Sequence, residues 1–191
     1  MQIISSLLRL QTEKIKDETM QNMFIESQNR IQSMALIHET LYKSKDLARI
    51  DFHDYLKRLT SSLSILYQKN PGDIQINLNI KNVHLDINQA IPCGLLINEL
   101  ITNSLKHAFP YGGSGTVDVH MRKKPGGRFS LKIQDSGVGI PAGIDLNYTE
   151  TLGMQLISGL ISQLNGKIQL HREKGTMYTI CLLYTSPSPR D

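Results

Sequence analysis

The sequence predicts an α+β protein: an N-terminal helical hairpin followed by a two-layer sandwich in which helices back an antiparallel-rich sheet. Three observations carry that expectation. From Ile3 to about Tyr67 there is neither Gly nor Pro, and apolar residues recur at helical spacing. After Asn70-Pro71-Gly72-Asp73 the apolar period changes from 3.6 to 2. Helix-length and strand-length segments then alternate in the pattern of a sheet covered on one face.

In chain order, Ile3, Ile4, Leu7 and Leu8, then Met20, Phe24, Ile31, Met34 and Leu41, mark a pair of long helices with nearly heptad spacing. Such helices pair in a bundle or with a second chain, with Met20, Met23, Phe24 and Met34 in its core. Asp51 ahead of Phe52, with Asp54 three residues on, predicts the N-cap of a third helix. Ile74, Ile76, Leu78 and Ile80 alternate with polar residues as a strand. Asn88 to Phe109 reads as a helix with Pro92 in its first turns, stopped by Pro110-Tyr111-Gly112-Gly113. Gly115–Lys124 and Arg128–Asp135 form a hairpin around Pro-Gly-Gly, in which glycine supplies positive φ. A loop over 136–151 enters a helix at Leu152–Leu164, and Lys167–His171 with Thr176–Leu182 make a last hairpin. The expected division is 1–68 for the helical region, 71–183 for the sandwich, and 184–191, rich in Pro and Ser, as a tail not native to the protein.

At 191 residues the chain has room for one domain with a helical appendage, which excludes a large multidomain enzyme. With 40% hydrophobic and 20% charged residues it is too apolar for a disordered chain. The net charge of +4 is spread evenly along the sequence, so a basic face for nucleic acid is not expected. Cys93 and Cys181 lack metal-site or disulfide spacing and are expected to be buried free thiols. No apolar run reaches the roughly 18–20 residues of a membrane span, and a secretory signal is absent, so the expected location is the cytoplasm.

Three segments carry chemistry. In Asn98-Glu99-Leu100-Ile101-Thr102-Asn103-Ser104-Leu105-Lys106-His107, the i, i+4 and i+7/i+8 spacing puts Glu99, Asn103, Lys106 and His107 on one helix face. Leu96, Ile97, Leu100, Ile101 and Leu105 occupy the other. A carboxylate, an amide and two cation-capable groups in a stripe suit Mg²⁺ bridging phosphates; an ordinary solvated helix face has the same composition. Asp135-Ser136-Gly137-Val138-Gly139-Ile140-Pro141 follows a strand, so Asp135 is placed to accept from an amine while the glycines let the backbone approach a flat ring; a plain turn reads likewise. In Thr151-Leu152-Gly153-Met154-Gln155-Leu156 a loop becomes a helix, whose N-terminal amides either hold phosphate or are simply capped.

In this order, NELITNSLKHAFP, DSGVGIP, TLGMQLI and the Gly-Thr of the final strand resemble the Bergerat-type ATP-binding domain of sensor histidine kinases. The short TLGMQL form, with the preceding QIISSLLRLQ and RIQSMALIHETLYKSKDLARIDFHDYL, resembles the subfamily with the HWE-related dimerisation and phosphoacceptor domain, and the likeness spans nearly all of 2–183. The resemblance implies binding of ATP and Mg²⁺, transfer of the γ-phosphoryl group to a histidine, and relay to a response regulator by a homodimer. It implies Asn103 as Mg²⁺ ligand, Glu99 as the group that orients or deprotonates the attacking imidazole, and Lys106 and His107 at the phosphates. It further implies Asp135 at the adenine amine, Gly137 and Gly139 in the loop over the base, Gly153 opening the phosphate-facing helix, and Thr176 completing the adenine pocket.

The acceptor histidine of that subfamily sits in an H-R-x-K-N-x-L-Q-type sequence, with whose last residue Gln2 aligns, so it is expected just ahead of Met1. His38-Glu39 is the substitute within the chain, but the Arg and Pro that follow such a histidine in other kinases are absent, and a helix-interface role is the expectation. His53, His84, His120 and His171 have no ligand spacing and are expected on the surface. Two other readings stay open: an anti-sigma-type serine kinase, which shares the ATP fold but needs no helical hairpin, and a nucleotide-controlled dimerisation module without kinase activity.

Overall fold

The computed structural model describes residues 49–67, 73–141, 152–172 and 174–183, with single residues and short stretches between 15 and 39. Residues 1–14, His38, the 142–151 loop and the 184–191 tail lie outside the described residues, and so do the expectations that rest on them. The chain divides into two compact units, Met1–Lys45 and Asp46–Asp191. In the first unit the described residues between 20 and 39 are helical. Met20, Met23 and Phe24 are exposed in the single chain (58%, 60% and 36%).

The second unit begins with a short strand β1 (Ile50–Asp51) and helix α1 (Phe52–Tyr67). Asp51 caps α1 as expected, its Oδ1 accepting from the His53 and Asp54 amides at 2.9 and 3.3 Å. Phe52, Tyr55, Leu56, Leu59 and Leu63 recur at i, i+3, i+4, i+7 and i+11 and are all fully buried. Each contributes about 1.5–3 kcal/mol of apolar burial, as an upper bound. By its contacts α1 packs within the second compact unit, Asp46–Asp191.

β2 (Ile74–Lys81) precedes a second short strand, β3 (His84–Leu85), which pairs with β1. Helix α2 (Ile87–His107) starts one residue earlier and ends two earlier than Asn88–Phe109. Its cap is Asp86, which accepts from the Asn88 amide at 2.9 Å and the Gln89 amide at 3.2 Å. Gly94 lies against the Tyr55 ring so closely that a Cβ there would strike the phenol, which lets α1 and α2 touch. β4 (Gly115–Lys124) and β5 (Arg128–Asp135) have the expected bounds. Helix α3 (Leu152–Gln163), β6 (Lys167–His171) and β7 (Met177–Leu183) complete the unit.

The five-stranded sheet has the order β2-β4-β5-β7-β6, with β2 parallel to β4 and the other pairs antiparallel. The parallel pair follows from the crossover through α2. Val117, Val119, Met121, Phe129, Leu131, Ile133, Tyr178, Ile180 and Leu182 point inward and are buried, so the sheet is covered on one face, as a two-layer α+β fold requires.

Strand parity corrects two readings. Cys181 falls on the outward register of β7, between buried Ile180 and Leu182, and is exposed; Cys93 alone of the two thiols is buried. Six of the 21 Lys and Arg side chains, Lys81, Arg122, Lys124, Arg128, Lys132 and Lys167, take outward register positions and so share the outer face of the sheet. His84, His120 and His171 are exposed, but His53 is half-buried, with its Nδ1 shielded and without a hydrogen-bond partner among the described residues. No helix among the described residues is long and apolar enough to cross a membrane.

Candidate functional site

The centre of the site is Asp135, the last residue of β5 and only 2% exposed. Its Oδ1 accepts from the Gly137 amide at 3.1 Å and the Thr176 amide at 3.0 Å. Its Oδ2 accepts from the Ser104 hydroxyl at 3.0 Å. The Asp135 amide in turn donates to the Thr176 carbonyl at 2.9 Å. An ionised carboxylate has about four acceptor positions, so three donors leave one lone pair, on Oδ2. A buried carboxylate fixed by neutral donors and still able to accept once more is suited to a ligand N–H.

The loop after Asp135 is pinned from two sides. The Val138 amide donates to the Ala108 carbonyl at the end of α2 (2.9 Å), and the Ser136 amide to the Thr116 carbonyl (3.0 Å), while the Thr116 amide donates back to Ser136 Oγ (2.9 Å). At Gly137 a Cβ would run into the Ala108 carbonyl, so only glycine lets the loop pass the helix end. Gly175, the glycine of the Gly-Thr motif, has φ +75° and lies on the Asp135 carbonyl; a side chain there would push β7 away from the carboxylate. Gly139 (φ +78°) faces the Gly175 carbonyl. Gly137, Gly139, Asp135 and Thr176 are thus brought into one cluster.

Along α2 the expected stripe is only partly a solvated face. Glu99 is buried (3%), Asn103 and Lys106 are half-buried, and His107 is exposed. Lys106 Nζ lies 5.6 Å from the centre of the Tyr67 ring, a cation–π contact that ties the last turn of α2 to the end of α1. Lys106 and His107 also occupy the turn where the helix dipole favours positive charge. Asn98 and Thr102 are buried with Oδ1 and Oγ1 unpartnered among the described residues. Gly153 is half-buried in the first turn of α3, a position set by the helix it opens.

Beside this cluster Tyr178 is buried, and its phenol is pushed up to about 12 by burial first and the Asp135 charge second, with Arg172 opposing. On the far side of α2 burial, helped by Asp86, pushes the Cys93 thiol up to about 12, and burial raises the Tyr55 phenol as well. Ser104 and Tyr67 are the residues that motif reading missed. Ser104 sits between Asn103 and Leu105 on a predicted helix, and its only advance signal is that it falls one turn after Leu100, on the apolar side of that helix.

Two family models match the chain. One, described as histidine kinase, covers residues 1–67, and the other, described as histidine kinase-, DNA gyrase B- and HSP90-like ATPase, covers 88–186. The sensor histidine kinase PdtaS of Mycobacterium tuberculosis is 30% identical over 183 residues, 92% of this chain and 35% of that protein. The blue-light-activated histidine kinase 2 of Erythrobacter litoralis is 26% identical, over 89% of this chain and 49% of that protein. A solved blue-light-activated histidine kinase from Erythrobacter litoralis superposes with a TM-score of 0.74 at 25% identity, over 85% of this chain and 56% of that one. The chain spans from about a third to a half of the length of these two curated relatives. With a matching model over more than half its length and relatives that share both segments in the same order, the chain belongs to the histidine kinase-, DNA gyrase B- and HSP90-like ATPase family, on its sensor histidine kinase branch.

Proposed function

We propose that this chain is the catalytic part of a two-component sensor histidine kinase, which binds Mg-ATP and passes the γ-phosphoryl group to a histidine for relay to a response regulator. The observation that carries the reading is the Asp135 carboxylate, buried, held by Ser104, Gly137 and Thr176, and left with one acceptor position. That position fits the exocyclic amine of adenine. A guanine presents a carbonyl oxygen there, and two acceptors facing each other in a buried site are costly.

The donor set also fits Mg²⁺. Among the described residues no group of three or more His, Cys, Asp or Glu converges. Mg²⁺ takes most of its ligands from phosphates and water and needs only one or two from protein, for which the Asn103 amide oxygen would serve. When bound, the ion would supply neutralisation of phosphate charge. Glu99, one turn before Asn103 and buried, would orient the accepting imidazole and take its proton. Lys106, held near Tyr67, and His107 would lie at the phosphate end. Gly137 and Gly139 would close over the base, Thr176 would line it, and Gly153 would open the helix facing the phosphates. Exposed Met20, Met23 and Phe24 support pairing of two chains through the N-terminal helices.

Calorimetry tests the reading directly. ATP with Mg²⁺ is expected to give a binding heat that GTP does not, and Asp135→Asn is expected to remove it. Asn103→Asp is expected to weaken Mg-ATP while leaving the preference for adenine intact. Equal binding of ATP and GTP would overturn the role of Asp135, and an unchanged Mg-ATP affinity in Asn103→Asp would overturn that of Asn103.

A further inference from the structure

The outer face of the sheet, remote in register from Asp135, carries a charge pattern that nucleotide binding does not use. Its outward positions are fixed by pairing: Lys81 lies beside Arg122, His120 beside Lys132, and Lys124 beside Arg128. With Lys167 on β6, six Lys or Arg side chains share this face with one carboxylate, Asp118. Asp118 does not serve those cations in the bonds it makes, since its oxygens accept from Asn77 Nδ2 (2.9 Å) and Thr116 Oγ1 (3.4 Å). A shallow cavity of about 410 Å³ opens on the same face, lined among others by Lys81, His120, Arg122, Ser130 and Lys132.

We propose that this face docks an acidic protein surface, one rich in Asp and Glu, independently of the nucleotide site. Charge complementarity is the first argument: cations at strand spacing, about 5 Å across and 7 Å along, form a grid that carboxylates on a partner can match. The neutral residues between them are the second. Asn79, Gln169 and Thr179 lie in one cross-strand row, and each offers an acceptor as well as a donor. A protein surface supplies donors to meet those acceptors, whereas a phosphate array supplies almost none. Among the described residues the face presents no Phe, Tyr or Trp, because Phe129 and Tyr178 point inward, and its rings are the small imidazoles of His120 and His171, a poor platform for stacking a run of bases. Five strands at about 4.8 Å and six residues along each span only about 400 Å², half the area per partner of a stable complex. The contact is therefore weak, reversible and sensitive to salt.

The test uses the full chain and a fluorescein-labelled peptide of alternating Glu and Ser, followed by anisotropy. Binding is expected, weakening several-fold between about 50 and 200 mM NaCl. Arg122→Gln combined with Lys132→Gln is expected to weaken it about tenfold. Lys81→Gln, measured separately, is expected to weaken it by a smaller factor, so the test survives if the double variant does not fold; the helical circular-dichroism signal reports folding in both. Peptide affinity unchanged in a folded variant, or unaffected by salt, overturns the proposal. So does tighter binding of an oligothymidylate of equal charge, or of vesicles of phosphatidylserine and phosphatidylcholine in a one-to-three ratio, since either would assign the face to another class of partner.

Discussion

Ser104→Ala isolates the support of the site from the site itself. The Ser104 hydroxyl donates to Asp135 Oδ2 at 3.0 Å, with both residues buried (4% and 2% exposed). A hydrogen bond to a charged group contributes about 1.5–3 kcal/mol, and removing the donor leaves Oδ2 short of a partner inside the protein. Two donors to Oδ1 remain, so the loop does not come apart, and about 2 kcal/mol of unfolding free energy is the expected loss. For a unit of this size that lowers the thermal midpoint by about 4–8 °C. Ser104→Thr keeps the hydroxyl and should lose less. If Oδ2 is also the atom that meets adenine, freeing it from Ser104 lets the carboxylate rotate, and ATP affinity should fall about tenfold, equivalent to 1.4 kcal/mol. Differential scanning fluorimetry and ATP calorimetry on the three proteins read both quantities. An unchanged midpoint in Ser104→Ala would refute the bond's contribution; a lowered midpoint with unchanged ATP affinity would refute Oδ2 as the ligand-facing atom.

Gly94→Ala should destabilise the chain by several kcal/mol, about 2–4, because its Cβ meets the buried Tyr55 phenol; combining it with Tyr55→Phe should recover part of the loss in urea unfolding. An aromatic thiol reagent should titrate Cys181 rapidly in the native protein and Cys93 only on unfolding. Alkaline pH should destabilise the fold: burial holds the Cys93 thiol, whose ordinary value is 9.0, at about 12, so the native state keeps a proton that the unfolded chain gives up. That contribution is complete below pH 9 and is lost as pH rises towards 12; Cys93→Ala should flatten the urea midpoint over this range.

How much of this was legible beforehand varies with the kind of signal. β4 and β5 were bounded to the residue because alternation and a Pro-Gly-Gly turn are both local. α2 starts at Ile87, one residue before Asn88, because its cap is Asp86, and the two-residue pairing of β1 with β3 is too short to have a period. Glycine and aspartate motifs located Asp135, Gly137 and Gly139, yet the donor from Ser104 comes from 31 residues away, a distance no spacing rule covers. The burial of Glu99 and the exposure of Cys181 both depend on which way an element faces after packing. Composition hid the basic face for the same reason: alternation sorts charges into sides only once the strands have paired.

The Asp135 carboxylate is clasped by a side chain 31 residues before it and an amide 41 residues after it. Such a clasp closes only when α2, β5 and the entry to β7 have all assembled, so a nascent chain lacks the pocket until its last hairpin has been made. A nucleotide captured there would lock the finished topology by mass action, and cellular ATP would then act as a chaperone-like ligand, shielding completed molecules from proteolysis while leaving incomplete ones unprotected.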